Sequence, residues 1–391
     1  MSFIKKYFGS NRGVVAIIVA ASATVMFGML ALSTDMGYLF LVRNQLQNAA
    51  DAGALAGASK LPFLLNGTIG SSGEVRDEAI TYATQYLAAE RMVEPGDIYV
   101  ILNLDGTAWA VDDDGQLVVP PDLSFLSAET LNVFLSNSPS VMVIIRRTQE
   151  TTPITLFVGQ VLGQPQAGVS AVAVAKLLPV GETCGFKPWL IRDKPYLVPN
   201  DIGVLVTLKY SSQPNADREE PGWFSPVQFP PITRPECGSP VPGSSAYKEH
   251  IQSGSSCDCI FGIGDILELE TGNMVGPTVQ GVKDLISTDP GAEYNPDTGT
   301  VVGSIHGDWT QSERIAKLLL FPPDYVLASN TREAPIAKIA AFFIESVEKT
   351  GNKSARVNGY FIGISTSGGS GLVGQELPDD EYFLFRPVLL R

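Results

Sequence analysis

Histidine is nearly absent from this chain of 391 residues: His250 and His306 are the only two. Neither lies near a Gly-x-Ser-x-Gly segment, which is missing altogether, so a serine-hydrolase triad has no support. A phosphate-binding Walker loop is missing too. Gly369-Ser-Gly371-Leu-Val-Gly374 satisfies a dinucleotide spacing, but Pro378 and acidic residues follow it where a helix is required, so it reads as a loop. Nothing here points to a cofactor or a small-molecule substrate. Positive charge is scarce as well, with 27 Lys and Arg against 41 Asp and Glu. That balance argues against nucleic acid as a partner. What the chain does have is apolar content. At 45% hydrophobic it is too apolar for wholesale disorder. Its length allows two or three domains, each with its own core. No internal repeat is present.

Charge is also missing locally. Val14 to Leu32 carries none, and at about 1.5 Å per residue this run approaches the roughly 30 Å hydrocarbon core of a bilayer. Lys5, Lys6 and Arg12 precede it; Asp35 and then Arg43 follow. The positive-inside rule puts the N-terminus in the cytoplasm and the remainder outside. Cleavage at Ala31-Leu32-Ser33 is the rival reading. The run is longer than a signal core and the helical pattern continues past it, so it reads as an anchor. Ala16, Ala20, Thr24 and Gly28 form a small-residue stripe of the kind that lets helices approach in lipid, though such residues are common in membrane helices anyway.

Proline is missing from Met1 to Leu61. Met36, Leu39, Val42, Leu46, Ala50, Gly53 and Gly57 follow three- and four-residue steps, so one helix is predicted from about Val14 to Ser59, stopped by Pro62. Its second half is lean, with Ala49, Ala50, Ala52, Gly53, Ala54, Ala56, Gly57 and Ala58, and so suited to nest against a sheet or a helix. Asp35 falls where the span should leave the membrane. It either pairs with a cation of a neighbouring subunit or marks the lipid–water boundary.

Arg12-Gly13, the apolar span, Asp35-Met-Gly and then Gln45 to Ser59 (QLQNAADAGALAGAS) follow in fixed order. This stretch of about fifty residues resembles the N-terminal region of TadG-like proteins of the tight-adherence (Tad, or Flp) pilus-assembly system. The resemblance implies an envelope-anchored, pilin-like accessory component of the bacterial inner membrane, with other Tad-system proteins as partners. It does not extend to the prepilin peptidase signal, which places glutamate five residues after glycine; here that residue is Ile18. Some relatives carry an adhesion-type metal site, Asp-x-Ser-x-Ser, but Asp122-Leu-Ser124-Phe-Leu126 lacks the second serine.

The expected fold is α+β. Residues 1–13 are a cytoplasmic basic segment, and 14–60 form the transmembrane and amphipathic helix. Residues 61–180 form a pilin-like domain in which the helix packs on a small antiparallel sheet, and 181–391 a mainly β domain with a proline-rich segment at 211–245. Glu74 to Arg91 reads as a helix. Ile98 to Leu102, Ala108 to Val111, Gln116 to Val119, Val141 to Arg147 and Gly168 to Lys176 read as strands, with Asp113-Asp114-Gly115 as a hairpin turn. The family resemblance adds a short helix from Ile154 to Leu162. Further strands are expected at 202–210, 266–270, 315–320, 336–344 and 355–364, and a short helix at the end of Thr271 to Ile286. Asp112 to Gly115 and Asn295 to Gly299 lack the spaced ligands of a calcium loop and read as turns.

Cys184, Cys237, Cys257 and Cys259 would be oxidised outside the cytoplasmic membrane. A Cys257–Cys259 bond would close a strained ring, so each is expected to pair with Cys184 or Cys237. The alternative is a metal site from Cys237, His250, Cys257 and Cys259 in an envelope enzyme or metal-binding protein, although the spacing matches no common zinc module. The preferred expectation is a non-enzymatic assembly component. Its contacts would come from Asp35, Leu46, Asn48, Ala50, Asp51 and Leu55, with Ala50→Leu abolishing partner binding while sparing insertion.

Overall fold

A computed structural model describes residues 11–65, 71–104, 106–120, 122–124, 126–135, 139–148, 152–160, 163–193, 203–211, 224–271, 274–325, 331–350, 354–366, 370–371 and 384–390. The fold is α+β, and the chain divides into two compact units. The first gathers residues up to Ala54 with Ala79–Val100 and Met142–Ala173. The second gathers Leu55–Glu78, Ile101–Val141 and Val174 onward.

The first unit is organised by one helix, Asn11–Leu65 (α1), which it contains as far as Ala54. Pro62 does not stop this helix but lies inside it. The described helix continues three residues beyond it, to Leu65. Every third or fourth residue of α1 beyond the membrane-like run, Val42, Leu46, Ala49, Ala50 and Ala54, is buried. Their neighbours in this unit include the last turn of Ser71–Ala83 (α2) and parts of three strands. These are Ile98–Leu104 (β1), Ser140–Arg147 (β2) and Val169–Thr183 (β3), adjacent in the order β3-β2-β1. Helix α2 is shorter than Glu74 to Arg91 suggests. After Ala83 the chain turns into a hairpin, Leu87–Ala88 with Arg91–Met92, through Ala89 and Glu90 at positive φ. That strained turn has an explanation: the Ala89 amide donates to Gln45 of α1, and the buried Arg147 guanidinium donates to the Ala88, Arg91 and Met92 carbonyls.

The second unit is built on a six-stranded sheet. In chain order its strands are Phe186–Arg192 (β4), Leu205–Ser211 (β5), Phe224–Pro226 (β6), Ile315–Phe321 (β7), Lys338–Thr350 (β8) and Ser354–Ile362 (β9). They lie in the order β5-β9-β8-β7-β4-β6, with β4 and β7 parallel and the other pairs antiparallel. Runs such as Leu318-Leu319-Leu320-Phe321 are apolar without alternation because both faces of the sheet are covered. Leu318 and Leu320 face a core shared with Ser244–Ser253 (α3) and Val275–Ile286 (α4), whereas Leu319 and Phe321 face the core around Phe186, Phe261 and Phe343. The Trp189 indole donates to the Tyr247 hydroxyl, which is hydrogen-bonded to Thr278, so strand and both helices are tied through the first core. The same unit holds the hairpin Thr107–Val111 with Leu117–Val118, turned at Gly115, and pairs Leu384–Leu390 (β10) antiparallel to residues 174–179 of β3. Asn295 to Gly299 is likewise a hairpin turn, joining Glu293–Asn295 to Thr300–Val302.

Candidate functional site

From Val14 to Thr34, helix α1 has almost no contact with the rest of the chain: Val14, Ile18, Phe27 and Leu30 are 46%, 59%, 71% and 61% exposed. The helix is long and apolar enough to cross a membrane, and none of its most apolar stretch is buried. The situation reverses at Asp35, which is only 7% exposed. Its carboxylate accepts hydrogen bonds from three successive backbone amides, Phe157 (2.8 Å), Val158 (3.1 and 3.2 Å) and Gly159 (2.8 Å). Burial alone would push its pKa up. The bonds from Gly159, Val158 and Phe157 outweigh that and hold it below the ordinary carboxylate value.

Asp35 thus has its partners within its own chain, a role that neither reading offered for it named. Ile154 to Leu162 does not form the expected short helix over its described part: Ile154–Thr155 pairs with Gln166–Ala167 as a hairpin, and the amides of the turn that follows Thr155 donate to the Asp35 carboxylate. The Phe157 ring meets Tyr38 of α1 edge-on, with centroids 5.4 Å apart.

Further along α1, Gln47 donates both to Asp51 and to the Val172 carbonyl at 2.8 Å, fixing the helix to β3. Leu46 and Ala50 are fully buried, Asp51 and Leu55 half-buried, and Asn48 exposed. The lean composition serves a close approach. A Cβ on Gly53 would stand 2.9 Å from the Ala79 carbonyl oxygen and 3.2 Å from the Ala83 side chain. Thus Leu46 and Ala50 pack inside their own unit, and Ala50→Leu would crowd that core before it touched any partner.

The cysteines form two bonds, Cys184–Cys257 and Cys237–Cys259. Every sulfur of the suggested Cys/His metal set is therefore consumed, and His250 packs edge-on against Phe229 at 5.2 Å with its pKa lowered by burial. Among the described residues no group of three or more His, Cys, Asp or Glu could hold a metal ion. The Cys237–Cys259 loop is further pinned by Arg234, which bridges Asp265 and Glu182. Lys187 carries a shifted group that sequence reasoning missed. Burial pushes its pKa down to about 8, and its ammonium donates to the Gln252 carbonyl. An apolar-flanked lysine in a strand gives no sequence signal of this.

Residues 13–60 match the family model of the Flp pilus-assembly TadE/G-like proteins. The helix that bears the bare apolar half, Asp35 and the small-residue face is a TadE/G-like segment. No curated protein and no solved structure matches the chain. The TadE/G-like segment thus ends inside α1, and the remaining residues are described by their own structure alone.

Proposed function

We propose that this protein is an inner-membrane-anchored, non-enzymatic component of Tad/Flp pilus assembly, minor-pilin-like or accessory. The N-terminus is cytoplasmic and the bulk of the chain lies outside. One observation carries the reading: the TadE/G-like match at 13–60 coincides with a helix whose first half is apolar and unburied and whose second half is folded into its own unit. Two disulfides agree with an oxidising compartment, and Lys5, Lys6 and Arg12 ahead of the span agree with the orientation. Because Asp35, Leu46 and Ala50 are buried in the chain's own fold, partner contacts fall to the exposed Asn48, the half-buried Asp51 and Leu55, and the span itself.

The test is genetic and biochemical together. A strain lacking the gene should lose or reduce its Flp pili, and the full chain should restore them. Asn48→Arg should reach the membrane but fail to restore, with other Tad-system proteins no longer co-purifying. Normal piliation in the deletion strain would overturn the proposal.

A further inference from the structure

We infer that the turn at residues 154–160 is a lipid-contacting element, lying in the phospholipid headgroup layer with the Phe157 ring among the lipids beside the point where α1 leaves the bilayer. This rests on the anchor reading of α1. Asp35, which grips the turn, is three residues beyond the end of the uncharged run at Leu32, about 4.5 Å along a helix axis. The headgroup region adds roughly 5–7 Å to each side of the hydrocarbon.

The backbone of the turn is paired internally. The amide of Leu156 donates to the Pro165 carbonyl at 2.9 Å, and those of Phe157, Val158 and Gly159 donate to Asp35. Four successive amides are therefore satisfied inside the chain, so the backbone of the turn keeps its hydrogen bonds wherever water is thinned beside the hydrocarbon. The Asp35 carboxylate in turn has both oxygens hydrogen-bonded, which fixes the turn to α1 at this depth.

The side chains point to the same occupant. Phe157 is 65% exposed, and the apolar surface of α1 does not stop with the span, for Met36, Phe40 and Leu41 are 50%, 61% and 53% exposed. From Val14 to Val42 the one charge is Asp35, and the next cation is Arg43. The Tyr38–Phe157 pair thus sits where aromatic residues collect at a membrane–water boundary. A protein partner on this surface is the competing occupant. Lipid is favoured because the surface is continuous with the bare span.

All four native cysteines being bonded, single nitroxide labels on the full chain are practicable. Phe157→Cys, Val25→Cys within the span and Val302→Cys in the second unit would each be labelled and reconstituted in phosphatidylethanolamine–phosphatidylglycerol vesicles. Relaxation by oxygen is then compared with relaxation by a water-soluble nickel chelate. The label at 157 should favour oxygen several-fold over the chelate, as at 25, whereas the label at 302 should favour the chelate. A lipid-like label at 25 with a water-like label at 157 overturns this inference alone. A label at 157 shielded from both reagents means a protein cover and also overturns it. A water-like label at 25 overturns the anchor reading and this inference with it.

Discussion

Asp35 takes three amides from a turn more than 120 residues away in the chain. Replacing it by alanine leaves those donors without their acceptor, so Asp35→Ala should sharply lower the hydrogen-exchange protection of Phe157, Val158 and Gly159. The chain should remain inserted. The pH dependence follows from the sign of the shift. The carboxyl is held below its ordinary value of 3.8, so its contribution is fully present above that value and is lost as pH falls through the folded pKa. Protection of the three amides should therefore hold from neutral pH past the ordinary value of 3.8 and be lost only as pH falls through the lower folded pKa; protection unchanged in Asp35→Ala would refute the assignment. The sequence marked Asp35 by its position after an uncharged run but could not name its partner, because no periodicity links a helix residue to a remote turn. The same holds for Ala89 and Glu90: they take the positive φ of a two-residue hairpin loop without Gly or Asn, and the bonds to Gln45 and from Arg147 that hold the loop come from remote residues.

Helix α1 shows what an element reveals of itself. Its apolar run, its three- and four-residue steps and its small residues are all local properties, and the helix spans them. Gly53 gives the element its sharpest test. An added methyl would meet a backbone carbonyl at 2.9 Å, so Gly53→Ala should destabilise the first unit by about 1–3 kcal/mol despite alanine's better helix propensity. Ala50→Leu belongs to the same class. Urea unfolding followed by hydrogen exchange in β2 reads both, and a stabilised Gly53→Ala would contradict the packing. Other elements were hidden by their composition. Ser244–Ser253 begins at the end of the proline-rich segment 211–245, where no helical pattern is expected, yet Tyr247 and Ile251 make it a packed helix. Strand β4 carries Pro188 between its partners, and the register shift against β7 between Phe186 and Leu190 is what accommodates a proline inside a sheet. Trp223 and most of the proline-rich segment before Phe224 lie outside the described residues.

Over the whole molecule, the two bonds close stretches separated by 73 and 22 residues. On chain entropy they constrain the unfolded second unit by about 4 and about 3 kcal/mol. Reduction should therefore lower the unfolding free energy of the second unit by several kcal/mol, read as a lower denaturant midpoint, and leave the amide protection of the first unchanged. Non-reducing peptide maps should contain only Cys184–Cys257 and Cys237–Cys259 links; a Cys257–Cys259 peptide would refute the connectivity. Four cysteines made oxidation legible, while the choice between partners required the fold that brings them together. One consequence of α1 is mechanical. No proline precedes Pro62, and Asp35 braces the helix at the membrane exit. The span and the first unit are therefore a lever without a hinge. From Leu32 to Ala54 is about 33 Å of helix, so an ordinary transmembrane tilt of about 20° would swing its far end sideways by about 11 Å. A change of bilayer thickness would thus reach the far end of the first unit's helix as a displacement, with little lost to bending along the way.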